Sequence, residues 1–139
     1  RDGRRRAETK HSGLAMPNIT TENVGTCYDA TFELLMVSMP EDAILVHGYP
    51  RCTEDGEHRG KKMGHAWIEL PRFNQVWCID HQHPDRMIHH LVFYHAGQID
   101  PGECKRYTKR QALANADRAG TTGPWGRQPK DAYFAERAS

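Results

Sequence analysis

Three residues in one order carry the chemistry legible in this chain: Cys27, His65 and Asp80. A deprotonated thiol is a strong nucleophile, and an imidazole accepts its proton near neutral pH. A carboxylate can then hold the imidazole in the tautomer that does so. Such a set attacks a carbonyl and passes through an acyl-enzyme. It works only if three positions distant in sequence are brought to one point, which is the task of the elements around them.

Cys27 opens a helical pattern. After Gly25 and Thr26, the residues Cys27, Ala30, Thr31, Leu34 and Leu35 fall at i, i+3, i+4, i+7 and i+8, one face of a helix. Thr26 is a natural N-cap, Asp29 puts negative charge in the first turn, and Pro40 stops the run. A thiol at that end meets unpaired backbone N–H groups and the positive end of the helix dipole. Both favour thiolate, and the same N–H groups can stabilise an oxyanion. The Cys27 backbone N–H is the first oxyanion donor expected, and Asn23 is the candidate for the second and for contact with substrate. A free cysteine taken alone is more often a small buried apolar residue, so the other two members decide.

His65 and Asp80 lie on two runs rich in strand formers, Gly64-His65-Ala66-Trp67-Ile68-Glu69-Leu70 and Gln75-Val76-Trp77-Cys78-Ile79-Asp80. The segment Pro71-Arg72-Phe73-Asn74 joins them as a turn. A hairpin centred between Arg72 and Phe73 sets Leu70 against Gln75, Ile68 against Trp77 and His65 against Asp80. Opposed side chains share a face with Cβ atoms about 4.5–5.5 Å apart. The carboxylate is then expected to accept the Nδ1–H, leaving Nε2 for the thiol. Trp67 shares the His65 face, as core or as a shield and substrate contact.

These residues resemble a family. Gly25-Thr26-Cys27-Tyr28-Asp29-Ala30, then Val46-His47-Gly48-Tyr49, then His65-Ala66-Trp67-Ile68-Glu69, then Trp77-Cys78-Ile79-Asp80 look like the transglutaminase-like core of the papain-like cysteine enzymes. The likeness runs over roughly residues 23 to 81, under half of the 139-residue chain, and departs at His81, where the family usually carries proline. It implies an α+β fold with an N-terminal helix packed on an antiparallel sheet. It also implies Cys27 as nucleophile, His65 as base and Asp80 as the residue that orients it.

Composition bounds the rest. A chain of 139 residues fits one core, and a net charge of +1 argues against a polyanionic partner, nucleic acid included. No run is long and apolar enough for a membrane span or a signal-peptide core, so the expected setting is cytoplasmic. The four cysteines are widely spaced, which speaks against a disulfide scaffold. The expected organisation is an N-terminal arm over 1–22 with the basic run Arg4-Arg5-Arg6, a catalytic domain over 23–120, and an irregular tail over 121–139 that Trp125 pins to the body. Inside the domain, Ala43–Val46 reads as a short strand and 50–63 as a polar loop exposing Cys52. Leu91–Gly97 is ambiguous between strand and helix. Thr108-Lys109-Arg110-Gln111 reads as a capping box opening a helix that Gly120 closes.

Nine histidines, with His81-x-His83 on one short stretch, also admit a metal site for which Cys78, His89, His90 and His95 are near in sequence. That spacing lacks the helical His-Glu-x-x-His arrangement of zinc proteases, and solvated loop histidines account for it as well. The expectation is a thiol hydrolase or acyl transferase acting on a peptide or other amide through Cys27, His65 and Asp80, with no cofactor. The alternatives are a non-catalytic binding module on the same fold and a histidine-rich metal-dependent hydrolase. Substrate identity and oligomeric state are left open by the sequence.

Overall fold

The computed structural model describes residues 27–134. The expected arm over 1–22, the N-cap Thr26 and Asn23 lie outside the described residues. In chain order the elements are α1 (Cys27–Ser38), β1 (Ile44–Gly48), β2 (His65–Arg72), β3 (Gln75–Ile79), β4 (Ile88–His89), α2 (His90–Gly97), a 3₁₀ turn (Pro101–Glu103), β5 (Lys105–Thr108) and α3 (Lys109–Ala119). The five strands form an antiparallel sheet in the order β4-β3-β2-β1-β5. This is an α+β domain.

The helices divide between the two faces. Period-two alternation sends Leu45, Ala66, Ile68, Leu70 and Ile79 to a core with Cys27, Tyr28 and Leu35 of α1 and Ala112 of α3. The alternate residues Val46, Trp67 and Cys78 pack with Phe93 and Tyr94 of α2 on the opposite side. β2 is central and covered on both faces, so its first six residues are all buried. That is why it reads as a nearly unbroken apolar run around His65 and Glu69.

The hairpin register departs from the sequence-based expectation. Arg72 pairs with Gln75, Leu70 with Trp77 and Ile68 with Ile79, which centres the turn between Phe73 and Asn74. Both turn residues have positive φ, 55° and 60°, the geometry of a two-residue type I′ connection. Asn tolerates that left-handed conformation and Arg does not, so the chain turns one residue later than a count of strand formers suggests. Each opposing pair moves by two residues in total. An even displacement preserves the face, so Asp80 stays on the His65 side but falls on the diagonal, with Trp67 at its level.

Elsewhere local signals hold. Thr108 accepts from the Gln111 N–H while the Gln111 side chain accepts from the Thr108 N–H, a complete capping box, and Gly120 closes α3 at φ 75°. The ambiguous segment 91–97 is helical, with the His89 ring accepting from the Leu91 N–H at the N-cap. Cys52, expected exposed, is 3 % exposed and packs with Met63 and Tyr133.

Residues 121–134 form an extended strap without helix or strand. Trp125 anchors its first half, 5.0 Å from the rings of both His47 and Tyr107. Lys105 donates to the carbonyls of Trp125 and Arg127. Among the described residues no helix is long and apolar enough to cross a membrane.

Candidate active site

Cys27 is the first residue of α1, and its position there follows from the turn-by-turn burial of Cys27, Thr31 and Leu35 against the sheet. Its Sγ lies 4.0 Å from the Gly64 carbonyl, a long thiol contact that sets α1 against the start of β2. Gly64 immediately precedes His65, so docking the helix on this strand delivers the thiol to the imidazole. Thr31, one turn on, donates from its hydroxyl to the Ala66 carbonyl at 3.3 Å and fixes the same alignment.

The His65 ring is held from two sides. Nε2 sits 2.7 Å from Asp80 Oδ1, with both side chains 1 % exposed. Cys27 is its other hydrogen-bonding neighbour, which leaves Nδ1 as the nitrogen for the thiol. The nitrogens are thus exchanged relative to the expectation of Asp80 on Nδ1. Asp80 lies diagonally rather than directly across the ladder, and its carboxylate meets the far end of the ring. The second carboxylate oxygen accepts from the Gln82 N–H at 2.9 Å, so Asp80 is itself oriented.

Electrostatics follow from this enclosure. Burial works against the charged form of His65, but the negative charge of Cys27 and of Asp80 outweighs it and holds the imidazole well above its ordinary value. Burial likewise works to raise Asp80. The adjoining imidazole and the Gln82 N–H more than offset that, and the carboxyl stays below the usual range. The arrangement favours the protonated form of the imidazole beside a carboxylate, with the Cys27 sulfur as the remaining neighbour.

Trp67 is wholly buried, its ring 6.2 Å from that of His65, and so forms a wall behind the imidazole rather than a surface open to substrate. A buried carboxylate, Glu69, fixes that wall. Its Oε2 accepts from Trp67 Nε1 at 3.3 Å and from the Tyr94 hydroxyl, and its Oε1 from Arg106 Nε at 3.3 Å. Arg106 also donates to the Tyr94 hydroxyl at 2.7 Å, closing the network. Cys78 lies beside Glu69, and burial together with that carboxylate pushes its thiol far up.

On the outer side of the site, His81 follows Asp80 with its ring 6.2 Å from that of His65. It lines an open hollow of about 270 Å³ shared with Ala30, Leu34, Val37 and Pro84. Among the described residues no group of three or more His, Cys, Asp or Glu side chains is arranged to hold a metal ion, the His81–His83 stretch included.

Sequence reasoning missed two features. One is His47, whose ring is buried among Tyr28, Tyr107 and Trp125. The other is the end of the strap, where Tyr133 pairs with Met63 and Phe134 covers Gly64. The only signal for the second is the adjacent aromatic pair Tyr133-Phe134 following the polar stretch 126–131. Comparisons with protein-family models, with curated proteins and with solved structures find no match to this chain.

Proposed function

We propose that this chain is a cysteine-nucleophile hydrolase or acyl transferase acting on amide bonds, built on a transglutaminase-like version of the papain-like arrangement. The observation that carries the reading is the buried imidazole held 2.7 Å from Asp80 with Cys27 as its other neighbour. The Cys27 proton passes to His65, and the resulting thiolate Sγ attacks the carbonyl carbon, the sulfur–carbon bond forming as the carbonyl π pair moves to oxygen. The backbone N–H at the start of α1 faces the developing oxyanion. His65 gives its Nδ1 proton to the leaving amine as the tetrahedral intermediate collapses, which breaks the carbon–nitrogen bond and leaves a thioester. In the second half His65 takes a proton from water or from an acceptor amine, which attacks the thioester and frees the thiolate. Asp80 keeps the ring oriented and offsets its charge throughout.

One observation favours a second reading. Cys27, His65 and Asp80 are 0 %, 1 % and 2 % exposed, as expected if the three are part of the core of a binding module. A small activated ester separates the two readings, because p-nitrophenyl acetate needs little room. The catalytic reading expects a burst of one equivalent of p-nitrophenolate and acetylation of Cys27, found by peptide mass spectrometry. Both should vanish in Cys27→Ala and fall sharply in His65→Ala. Acetylation spread over several nucleophiles, with no burst, overturns it.

A further inference from the structure

We infer that the backbone edge Lys62–Gly64 is the seat of an extended polypeptide substrate bearing an aromatic side chain, and that residues 132–134 of this chain occupy it as an intramolecular stand-in. The inference rests on the catalytic reading above for the word substrate, and on geometry alone for the seat. Gly64 N–H donates to the Tyr133 carbonyl at 2.9 Å, and Tyr133 N–H donates to the Lys62 carbonyl at 2.8 Å. Met63 and Tyr133 thereby pair in parallel. Pairing of this kind is how an exposed edge takes up an extended peptide, with backbone groups giving affinity and one or two hollows giving selectivity.

The hollow is also defined. A Cβ on Gly64 would lie 2.0 Å from Cε1 of Phe134, so the absence of a side chain at this position is what lets an aromatic ring lie on the backbone. The Tyr49 ring meets that of Phe134 edge-on at 6.2 Å, and Phe134 joins the cluster that contains Cys27 and Tyr28. The edge leads to the chemistry, because the Gly64 carbonyl is the contact of Cys27 Sγ and the next residue is His65. Parallel pairing sets Phe134 level with Gly64, one step before His65. A peptide lying in the same sense is directed at the thiol.

The strap is held unevenly, which suits a segment that gives way. Its first half carries the buried Trp125, 8 % exposed, and the Lys105 contacts. Its last residues are held by the two backbone hydrogen bonds, by the half-buried Phe134 ring, by the half-buried Tyr133 ring, which lies 4.4 Å from that of His58 and packs on Cys52 and Met63, and by an ion pair from Lys62 to Asp131 at 3.3 Å whose aspartate is 68 % exposed. The end can lift while the anchor stays.

The test uses a fluorescein-labelled peptide of sequence Lys-Asp-Ala-Tyr-Phe-Ala, matching residues 130–135, and fluorescence anisotropy on full-length chains. Phe134→Ala empties the hollow, and Tyr133→Pro separately removes the donor to Lys62, so a folding failure in one variant leaves the other. Both are expected to bind the peptide at least about tenfold more tightly than the parent, since an occupied seat lowers apparent affinity by the vacant fraction. A Phe-to-Ala change in the peptide, or Gly64→Ala in the Phe134→Ala background, should cancel the gain. Equal binding by parent and released variants, or indifference to the peptide's phenylalanine, overturns the inference. An ester burst without a peptide gain sinks this inference and spares the catalytic reading. A peptide gain without a burst supports the seat and overturns the catalytic reading.

Discussion

Two buried histidines sit on adjacent strands and meet opposite fates. His47 and His65 are 2 % and 1 % exposed, and β1 pairs with β2 so that His47 faces Ala66 and Gly48 faces His65. His47 is packed among Tyr28, Tyr107 and Trp125, and neither of its ring nitrogens has a hydrogen-bond partner among the described residues. Burial pushes it down to about 3, with the nearby charges of Lys105 and His65 adding to the effect. His65 bears the same burial, but Cys27 and Asp80 reverse its effect. Burial therefore makes a histidine a neutral aromatic filler, and only a partnered acid turns it into a carrier of protons. The two are also coupled, since a charged His65 helps keep His47 neutral.

The largest expected effect follows from that division of labour. With p-nitrophenyl acetate as substrate, His65→Ala is predicted to cut turnover by about 10⁶-fold, the scale seen when the base of a serine protease is removed. His47→Phe should stay within about tenfold, because a filler contributes shape and no proton. Comparable losses in both variants would end the distinction. Asp80→Asn comes next, at about 10⁴-fold, because an amide orients the imidazole but can fix the wrong tautomer. Near-parental turnover with an intact fold would remove Asp80 from the mechanism.

The third effect concerns stability, and the two histidines should pull it in opposite directions. The folded-state value of His47 is depressed, so below pH 6.5 the unfolded chain takes up a proton that the folded chain refuses until pH is about 3. Stability is then lost on acidification at about 1.4 kcal/mol per pH unit at most from this site. The folded-state value of His65 is raised. Its contribution is complete below about pH 6.5, the ordinary value, and is lost as pH rises through the folded one. Urea midpoints measured from pH 5 to pH 9 should flatten on the acid side in His47→Phe and on the alkaline side in His65→Ala. An acid limb unchanged by His47→Phe would show that the ring is not held neutral.

What the sequence reveals follows the range over which each signal acts. The helix opening at Cys27, the capping box at Thr108 and the closure at Gly120 are written within a few residues, and each is legible. The pairing of His65 with Asp80 is legible because it depends on face, which survives a displacement of two. The exact opposition is not, because it turns on whether Arg72 or Asn74 takes the left-handed conformation. The ring nitrogen facing Asp80 follows from that displacement and is hidden with it. Met63 and Tyr133 lie far apart in the chain, and an isolated bridge between loops leaves no periodic trace in either. Burial of Cys52 comes from the same bridge. His47 and Glu69 are obscured for a related reason, since a strand covered on both faces shows no alternation to mark what is enclosed.

The tip of the β2–β3 hairpin has a practical use. Phe73 is 78 % exposed there, and β2 runs eight residues from His65 to Arg72 at the foot of the tip, a span of about 23 Å at strand rise. A ladder that holds its pairing up to Arg72 and Gln75 insulates the buried site from whatever replaces Phe73 and Asn74. Lengthening a surface loop costs little conformational entropy, so this turn is a place to splice in an affinity tag, a fluorophore or a whole reporter domain. The same tip gives a handle for tethering the chain to a surface with the thiol end pointing away.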